Sequence, residues 1–430
     1  MRKILILCYD FPPLPSIGAQ RPASFLKHFY KSRFHPVIVT RKWKENINSH
    51  AEYFEADSGT EEIVSTDLST VIKIPENQSF KNMLIAKHGI NKYINIRKAI
   101  SLGETFFKWL FPVADDKFYI YKRAQQYLQK NKVDYILSTG EPFILFKYGY
   151  SLSKEFNIPL LLDYRDGWTT NHTKNTSPLN LIRLKFESLF EKKYLNHALI
   201  YCSVSDGVLN EIETKYGLPA AKRFLLKNGA EIDSFKSLKK KEDGIFKIVY
   251  TGTLYDSSPV QEFINGIEEF ILKSGTEKLK ITFIGIRLKP CNHIQKIEQF
   301  KVRYPTKIEI LHSLPHEQLS QYITDASLLL LLLMKSQKKG IIGGKTYEYA
   351  ATRNPILVVQ EERIEETPFF QGRDIQCFTF TADEVAEKIE NYYNKFQQGI
   401  SIQTSITDEE IFSISREYQV KLLAEKLNTL

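Results

Sequence analysis

The sequence has few cysteines, and they do not cluster. The four that it contains, Cys8, Cys202, Cys291 and Cys377, are far apart, and no CxxC or Cys/His cluster accompanies them. This spacing argues against a disulfide framework and against a zinc site. A reducing, cytoplasmic compartment is therefore the expected location.

Long hydrophobic runs are also missing. The apolar core of the N-terminus, residues 4–8, is short and is followed by Asp10 and Pro12, which excludes a signal peptide or an N-terminal membrane span. The longest apolar run, residues 326–334, is far shorter than the ~20 residues that a membrane-spanning helix requires. The sequence therefore predicts no transmembrane helix.

Glycine and proline are not abundant either. The 430 residues include 20 Gly and 17 Pro, which excludes collagen-like and low-complexity chains. Aromatic residues make up 13%, so the chain has enough apolar surface to bury and is not disordered as a whole. The length fits two large domains or three ordinary ones.

The excess of positive charge lies in the first half of the chain. Residues 1–235 hold 33 Lys and Arg against 24 Asp and Glu, whereas residues 236–430 hold 26 of each. A basic half is compatible with nucleic acid, an anionic membrane or a phosphate-bearing ligand, and equally with a solvated basic surface. No recognised nucleic-acid-binding module accompanies the charge, so nucleic acid is not an expected partner.

Strand and helix patterns alternate in two successive runs. The first run predicts strands at residues 4–8, 36–40, 71–74, 135–138, 160–163, 199–203 and 224–226, and helices around residues 25–30, 119–131, 143–156, 179–195 and 206–216. The polar, basic residues 236–244 predict a linker. The second run predicts strands at residues 246–250, 279–284, 308–311, 328–333 and 355–359, and helices at residues 260–273, 318–324, 345–352, 385–396 and 411–427.

This alternation predicts an α/β fold of two doubly wound, Rossmann-like domains. The expected domains are residues 1–235 and residues 236–410, with residues 411–430 forming a C-terminal helix that packs back on the first domain. Ligands of such sheets bind at the carboxyl ends of the strands. Two such domains that face each other across a cleft would each hold one ligand, and closure of the cleft would bring the two ligands together.

Three short segments of the first domain follow predicted strands. The loop after the first strand contains Gly18 and Arg21 at the start of a helix, where backbone N–H groups and a guanidinium could bind a phosphate or a sugar. Glu141 follows another strand and could orient an acceptor hydroxyl or take its proton. A structural turn and a solvent-exposed loop remain the alternatives.

The third segment, LLDYRDGWT, places Asp163, Arg165, Asp166 and Trp168 just past a strand end. Charged groups at such a position favour contact with a ligand, because they are costly to bury without partners. We therefore treat Asp163, Arg165 and Asp166, together with Glu141, as candidate catalytic residues. A surface turn braced by an Asp–Arg pair is the alternative.

In the second domain, Gly252 and Thr253 directly follow its first strand. Glycine there allows the backbone to approach a phosphate closely, and the threonine adds a hydroxyl donor. A complete GxGxxG motif is absent, so the segment gives no direct support for dinucleotide binding.

The segment GIIGGKTYEYAATRNPIL carries the strongest signal. Gly343 and Gly344 lead into a helix, Lys345 and Thr346 lie in its first turn, and Glu348 follows. A glycine loop at a helix N-terminus binds anions, and a lysine adds a full positive charge. The Glu348 carboxylate is suited to accept hydrogen bonds from a ribose diol. An ordinary helix start with a solvated Lys/Glu pair is the alternative, and the spacing differs from that of a Walker A loop.

Together these motifs resemble the GT-B-fold retaining glycosyltransferases of family GT4, in particular those that act on bacterial surface polysaccharides. The resemblance covers most of the chain in collinear order. The residues that carry it are those of FPP…GAQR (residues 11–21), DYRDGW (163–168), YTGTLY (250–255) and GKTYEYAATRNPIL (344–357), with Ser205, Leu209, Tyr216, Gly217, Asn228, Gly229, Asp233 and Phe235.

The resemblance implies transfer of a sugar, with retention, from a nucleotide-sugar donor to a glycan or lipid-linked glycan acceptor. The donor would be held by the second domain, where Glu348 would contact the ribose and Lys345 the diphosphate. The Gly18 loop would lie against the diphosphate or the transferred sugar, and the acceptor would bind the first domain. No metal or other cofactor is implied, since positive groups and helix N-termini would stabilise the leaving diphosphate.

Some positions depart from the family pattern. Thr253 and Ser258 stand where many relatives carry Arg and Lys, and Gly340 stands at the first position of the Glu-x7-Glu motif. A histidine often found in the first domain has no obvious counterpart, and Glu141 lies near its place. These departures leave open a catalytically inactive binding or assembly protein with the same fold. An oxidoreductase with a Rossmann-type fold is a further alternative, disfavoured by the missing GxGxxG motif.

Residues 80–111 mix basic and aromatic side chains, among them Lys87, Lys92, Arg97, Phe107 and Trp109. This composition predicts salt-dependent binding to an anionic membrane surface, and hence a peripheral location on the inner membrane face. A helix packed on the domain near the acceptor is the alternative.

Overall fold

The structure is a computed structural model that describes residues 1–14, 16–45, 59–76, 80–89, 92–111, 115–171, 177–274, 276–287, 291–333, 343–360 and 376–430. The chain divides into two compact units. The first unit comprises Met1–Lys227 and Arg416–Leu430, and the second comprises Asn228–Ser415.

The first unit alternates strands and helices. Its strands are β1 (Arg2–Leu7), β2 (Phe34–Arg41), β3 (Glu62–Ser65), β4 (Thr70–Ile74), β5 (Tyr135–Gly140), β6 (Leu160–Tyr164), β7 (Ile200–Ser203) and β8 (Arg223–Leu225). Its helices up to Lys227 are α1 (Ile17–His28), α2 (Phe80–His88), α3 (Ile94–Leu110), α4 (Phe118–Leu128), α5 (Ile144–Phe156), α6 (Pro178–His197) and α7 (Asp206–Tyr216).

The strands of the first unit form one sheet in the order β3-β4-β2-β1-β5-β6-β7-β8. All pairs are parallel except β3 with β4, which is antiparallel at the edge of the sheet. The strand order reverses between β1 and β5, because β2 lies on one side of β1 and β5 on the other. In a doubly wound sheet this reversal opens a crevice at the carboxyl ends of the two strands.

The second unit repeats this architecture. Its strands are β9 (Phe246–Thr251), β10 (Leu279–Ile284), β11 (Ile308–Leu311), β12 (Leu328–Leu333), β13 (Ile356–Gln360) and β14 (Gln376–Thr379). Its helices are α8 (Asp233–Lys236), α9 (Val260–Lys273), α10 (Asn292–Arg303), α11 (His316–Asp325), α12 (Gly344–Ala351), α13 (Ala382–Gln397) and α14 (Asp408–Ser413).

The sheet of the second unit has the order β11-β10-β9-β12-β13-β14, and its pairs are parallel. The strand order reverses between β9 and β12. The six leucines of β12 are buried except for the partly exposed Leu333, as expected of a parallel strand that is covered on both faces. The predicted α/β fold with two doubly wound sheets is therefore confirmed.

The end of the chain returns to the first unit as a last helix, α15 (Arg416–Asn428). Its Val420, Leu423, Ala424 and Leu427 are buried in the core that contains residues of β1 and α1. The sequence predicted one helix over residues 411–427, and this was wrong. The backbone of Ile414 accepts a hydrogen bond from Ala230 N (2.8 Å), and this interrupts the helix between α14 and α15.

The polar residues 236–244, predicted as a linker, lie within the second unit. There Lys240 Nζ donates to Ala326 O (2.7 Å) and Asn354 Oδ1 (3.2 Å), at the amino ends of β12 and β13. Burial lowers the pKa of Lys240 to about 8. No strand or helix was assigned from the sequence at β3, β14, α2, α3, α8 or α10. Among the described residues, no helix is long and apolar enough to cross a membrane.

Candidate functional site

Arg165 organises the carboxyl edge of the first sheet. It follows β6, and its guanidinium reaches across the ends of the neighbouring strands. Nε donates to Gly140 O (2.8 Å) and Nη2 to Glu141 O (3.0 Å), while Nη1 pairs with Asp10 Oδ2 (3.3 Å). One side chain thus joins the segments after β1, β5 and β6, at the point where the strand order reverses.

Gly18 lies against this ion pair. A Cβ at Gly18 would be 2.5 Å from Asp10 Oδ2 and would overlap Arg165 Nη1, so any larger residue would have to displace this ion pair. Helix α1 begins beside it, and the Ser16 hydroxyl accepts a hydrogen bond from Ala19 N (3.2 Å). The predicted residues Gly18, Arg165 and Glu141 therefore meet in space, and Asp10 is a member of the group that the sequence analysis missed.

Arg21 and Asp163 bind each other rather than facing solvent. Asp163 is fully buried, and its two carboxylate oxygens accept hydrogen bonds from Arg21 Nε (2.8 Å) and Nη2 (2.6 Å). Arg21 donates further to Leu226 O (3.0 Å) and Lys227 O (3.3 Å). We interpret this buried pair as a support for the loops of the edge.

The other two candidate carboxylates are exposed. Glu141 and Asp166 lie on either side of Arg165, and among the described residues neither carboxylate has an ion-pair partner. Their side chains are thus available to a hydroxyl or to a cationic group. A carboxylate with an ordinary environment can orient a hydroxyl group and accept its proton.

An aromatic cluster fixes the segment that carries Arg165 and Asp166. The Trp168 ring stacks on Phe143 (centroids 5.3 Å apart) and on Trp109 (4.9 Å), and its Nε1 donates to Glu187 Oε2 (2.9 Å). Trp168 is buried, so it contributes to the geometry of the edge and not to contact with a ligand.

Two glycine turns form part of the carboxyl edge of the second sheet. Gly252 and Gly285 follow β9 and β10 and have φ values of 91° and 74°, a region that favours glycine. A Cβ at Gly285 would lie 3.8 Å from Gly252 Cα, so the two turns are adjacent. The side of Gly252 that a Cβ would occupy faces Lys345 Nζ (3.5 Å). Thr253 is partly exposed, and its carbonyl accepts a hydrogen bond from Tyr250 Oη (2.9 Å).

Helix α12 begins at this edge, on the other side of the strand reversal. Gly343 precedes its first residue, and a Cβ there would meet nothing within 4 Å. Gly344 and Thr346 are buried in the first turn, where Thr346 N donates to Gly343 O (3.1 Å). The N-terminus of a helix carries a partial positive charge and free N–H groups, both of which favour an anion.

Lys345 adds a full charge to this helix N-terminus. Its Nζ donates to Thr251 O (2.9 Å) and Tyr250 Oη (3.2 Å) and lies 4.5 Å from the centre of the Tyr250 ring. Burial lowers the pKa of Lys345 to about 8, an effect that the Glu348 carboxylate opposes. The part of the chain that the structure describes places no carboxylate within ion-pairing distance of Nζ. An anion between the glycine turns and α12 would supply the missing counter-charge.

Glu348 lies one turn further along α12 and is buried. His316, the first residue of α11, approaches it with Nε2 3.7 Å from Glu348 Oε1. His316 was missed by the sequence analysis. Its position soon after β11, at the same edge of the sheet, is the signal that could have identified it. A carboxylate and an imidazole so placed can bind a diol or a planar polar group.

Two departures from the family pattern, Ser258 and Gly340, and the question of a metal site remain. Ser258 is buried, and its hydroxyl accepts a hydrogen bond from Tyr255 N (3.3 Å), so it supports a turn. Gly340 lies outside the described residues. Among those residues, no group of three or more His, Cys, Asp or Glu side chains is arranged to hold a metal ion.

Solved structures of known enzymes share this fold. Sucrose-phosphate synthase from Thermosynechococcus elongatus is similar with a TM-score of 0.66 at 12% identity, over 100% of this chain and 98% of that chain. HepE of Anabaena in complex with UDP and glucose gives 0.60 at 12%, over 100% of both chains. An α,α-trehalose-phosphate synthase (UDP-forming) from Burkholderia vietnamiensis gives 0.60 at 9%, over 100% of both chains. No protein-family model and no curated protein matches the chain.

These structures are GT-B glycosyltransferases, and the chain has their fold throughout its length. The GT-B fold expected from the sequence is therefore confirmed.

Proposed function

We propose that the protein is a retaining glycosyltransferase of the GT4 type, a hexosyltransferase that uses a nucleotide-sugar donor. The acceptor would be a glycan or a lipid-linked glycan in the synthesis of a bacterial surface polysaccharide or glycoconjugate. The observation that carries the proposal is the environment of Lys345. This residue is a cation without a described carboxylate partner, held at a helix N-terminus beside two glycine turns, in a chain with the GT-B fold.

The second unit would hold the donor. The diphosphate fits between Gly252, the N-terminus of α12 and Lys345, where the positive charge would also stabilise the diphosphate as it leaves. The Glu348 carboxylate, with His316 beside it, is placed to accept hydrogen bonds from a ribose diol. HepE was solved with UDP-glucose and with UDP and glucose, and the trehalose-phosphate synthase is UDP-forming, so a uridine nucleotide is the first donor to test.

The first unit would hold the acceptor. The exposed carboxylates of Glu141 and Asp166 can contact a sugar hydroxyl, and Arg165, paired with Asp10, holds the segments that carry them. The buried Arg21–Asp163 pair would act through the loops that it supports and not on the substrate. A cytoplasmic location and the lack of a resident metal or other cofactor stay predictions.

Thr253 and Ser258 favour a second candidate, a binding or assembly protein that keeps the fold without catalysis. Neither side chain supplies the positive charge that many GT4 enzymes have at these positions. On this alternative the protein would bind a nucleotide and release no sugar from it.

Calorimetric titration with UDP, GDP, ADP and CDP, with NAD as a control, tests the proposal. We expect one nucleoside diphosphate to bind, and Glu348→Gln to weaken its binding. A transfer assay with the matching nucleotide sugar and isolated lipid-linked glycans then separates an enzyme from an inactive protein. Absence of binding by every nucleotide and nucleotide sugar would contradict both candidates.

A further inference from the structure

Helix α3 exposes an apolar stripe. Phe107, Leu110 and Phe111 at its C-terminal end are 55%, 56% and 60% exposed. Ile96 and Gly103 continue the same face toward the N-terminus, because residues three, four or seven apart lie on one side of a helix. A Cβ at Gly103 would meet nothing within 4 Å among the described residues, so the face is open at this position too.

Helix α6 extends this surface. The Phe106 ring of α3 packs on Phe186 of α6 (5.2 Å), and the Trp109 ring packs on Phe190 (5.6 Å). From the first ring pair to the second, the residue number rises on both helices, so α3 and α6 run in the same direction. On each helix the contacting residues lie beside the exposed ones. The exposed faces of α3 and α6 therefore form one surface.

The exposed side of α6 carries no carboxylate. Its two acidic residues, Glu187 and Glu191, are buried, and Glu187 binds the indole of Trp168. The exposed residues of α6 are Pro178, Leu179, Leu181, Ile182, Lys185, Leu189, Lys192, Lys193, Asn196 and His197. Apolar side chains therefore alternate with lysines whose long stems can reach past them.

We propose that the exposed faces of α3 and α6 bind the surface of an anionic lipid bilayer. Apolar residues flanked by Lys are the pattern of helices that lie in a membrane interface, where lysines meet the lipid headgroups. A second copy of this chain is a poorer occupant, since lysines are depleted in protein interfaces and would there repel the lysines of the other copy. The sequence predicted membrane binding for residues 80–111 alone, and α6 is the part that only the structure adds.

This surface is tied to the candidate acceptor edge. Trp109 of α3 stacks directly on Trp168, two residues beyond Asp166, and Lys147 Nζ of α5 donates to the carbonyls of Lys108 (2.7 Å) and Trp109 (2.8 Å). A bilayer bound at α3 and α6 would thus lie next to the segment that carries Arg165. A lipid-linked acceptor could then reach that edge without leaving the membrane, and this step alone rests on the proposed function.

Co-sedimentation of the full-length protein with vesicles tests the surface. The vesicles are pure phosphatidylcholine or phosphatidylcholine with phosphatidylglycerol. We expect binding to the anionic vesicles, weakened by salt. The triple variant Phe107→Ser, Leu110→Ser, Phe111→Ser should lose roughly 100-fold in partitioning, and Lys185→Gln with Lys192→Gln about 30-fold on anionic vesicles only.

The matched control is Leu272→Ser with Val302→Ser in the second unit. Both residues are 79% exposed, and neither lies on this surface, so the control should bind as the wild type does. Circular dichroism confirms that each variant is folded. Equal binding by the triple variant and the control would overturn the proposal. The proposal would also be overturned if the wild type bound no vesicles and formed a dimer that the triple variant does not form. The partner of this surface would then be a second copy of the chain.

Nucleotide binding by the same samples keeps the two proposals apart. A protein that binds UDP and ignores vesicles overturns the surface alone. A protein that binds anionic vesicles and no nucleotide overturns the proposed function alone.

Discussion

The carboxyl edges of the two sheets occupy equivalent places in the fold and treat charge in opposite ways. In the first unit the cations are paired with carboxylates, Arg21 with Asp163 and Arg165 with Asp10. In the second unit Lys345 binds a carbonyl and a phenol, and no described carboxylate pairs with it. The comparison separates charge that stabilises loops from charge that remains available to an anion.

A second lysine shows that burial is not sufficient for such a site. Lys240 also has its pKa lowered to about 8 by burial, but it lies at the amino ends of β12 and β13. In open α/β sheets ligands bind at the opposite edge, outside the carboxyl ends of the strands. Position relative to the strands therefore distinguishes Lys345, and Lys240 is its natural control.

The largest expected effect comes from breaking the paired charges of the first unit. Asp163→Asn leaves Arg21 buried without its counter-ion, and we expect the free energy of unfolding to fall by about 3–5 kcal/mol. Trp43, Trp109 and Trp168 all lie in the first unit, so denaturation followed by tryptophan fluorescence reports on it.

Replacing both partners, as in Arg21→Leu with Asp163→Leu, removes the unpaired charge and should cost less than the single change. If Asp163→Asn unfolds like the wild type, the pair is not the support that we infer.

Removing the unpaired charge of the second unit should have the opposite effect on stability. Lys345→Met removes a costly buried cation, so the free protein should be as stable as the wild type or more stable. The affinity for UDP, measured by titration calorimetry, should fall roughly 10- to 100-fold, the value of a hydrogen bond to a charged group. Lys240→Met is the control and should bind UDP normally. Equal loss in both variants would mean that Lys345 acts through the fold.

Crowding the Arg165–Asp10 pair should have a moderate effect. Gly18→Ala places a methyl group against Asp10 and the guanidinium, and overpacking of this kind costs about 1–3 kcal/mol of unfolding free energy. Gly103→Ala is the comparison, because its methyl group would enter open space in a helix and add up to about 1 kcal/mol. Tryptophan fluorescence during denaturation measures both. A Gly18→Ala variant as stable as Gly103→Ala would show that the pair yields easily.

The smallest effect concerns pH. Binding of a diphosphate favours the charged form of Lys345, whose pKa is about 8 in the free protein. The affinity for UDP should therefore be highest below pH 8 and should fall as the pH rises through that value, by at most tenfold per unit. Calorimetry in buffers of different ionisation enthalpy should show uptake of protons near pH 8. In Lys345→Met this dependence should vanish, and its persistence would assign the proton to another group.

The sequence predicts where these groups lie better than what they bind. Gly18, Arg165, Gly252 and Lys345 all follow strand ends, and the rule that ligands bind at carboxyl ends of parallel strands places them at the right edges. The ion pairs could not be predicted in the same way. Arg21 and Asp163 are 142 residues apart in the chain, and only the order of the strands brings them together.

Helices that contribute few side chains to the core were also missed. Helix α10 buries only Ile297 and Phe300 among its described residues, and α3 turns much of its apolar side outward. Neither was assigned from the sequence as a helix of the fold, although the apolar residues of α3 recur at helical spacing. The exposed stripe of α3 is therefore informative, because the packing of the unit does not account for it.

Helix α15 has a consequence for the order in which the protein is made. Its apolar residues complete the core beside β1 and α1, although it follows the whole second unit along the chain. Domains usually fold in turn as they leave the ribosome. Here the second unit, Asn228–Ser415, is continuous and can fold first, while the first unit is complete only once α15 has been made. Removal of α15 would thus destabilise the first unit and leave the second unit intact.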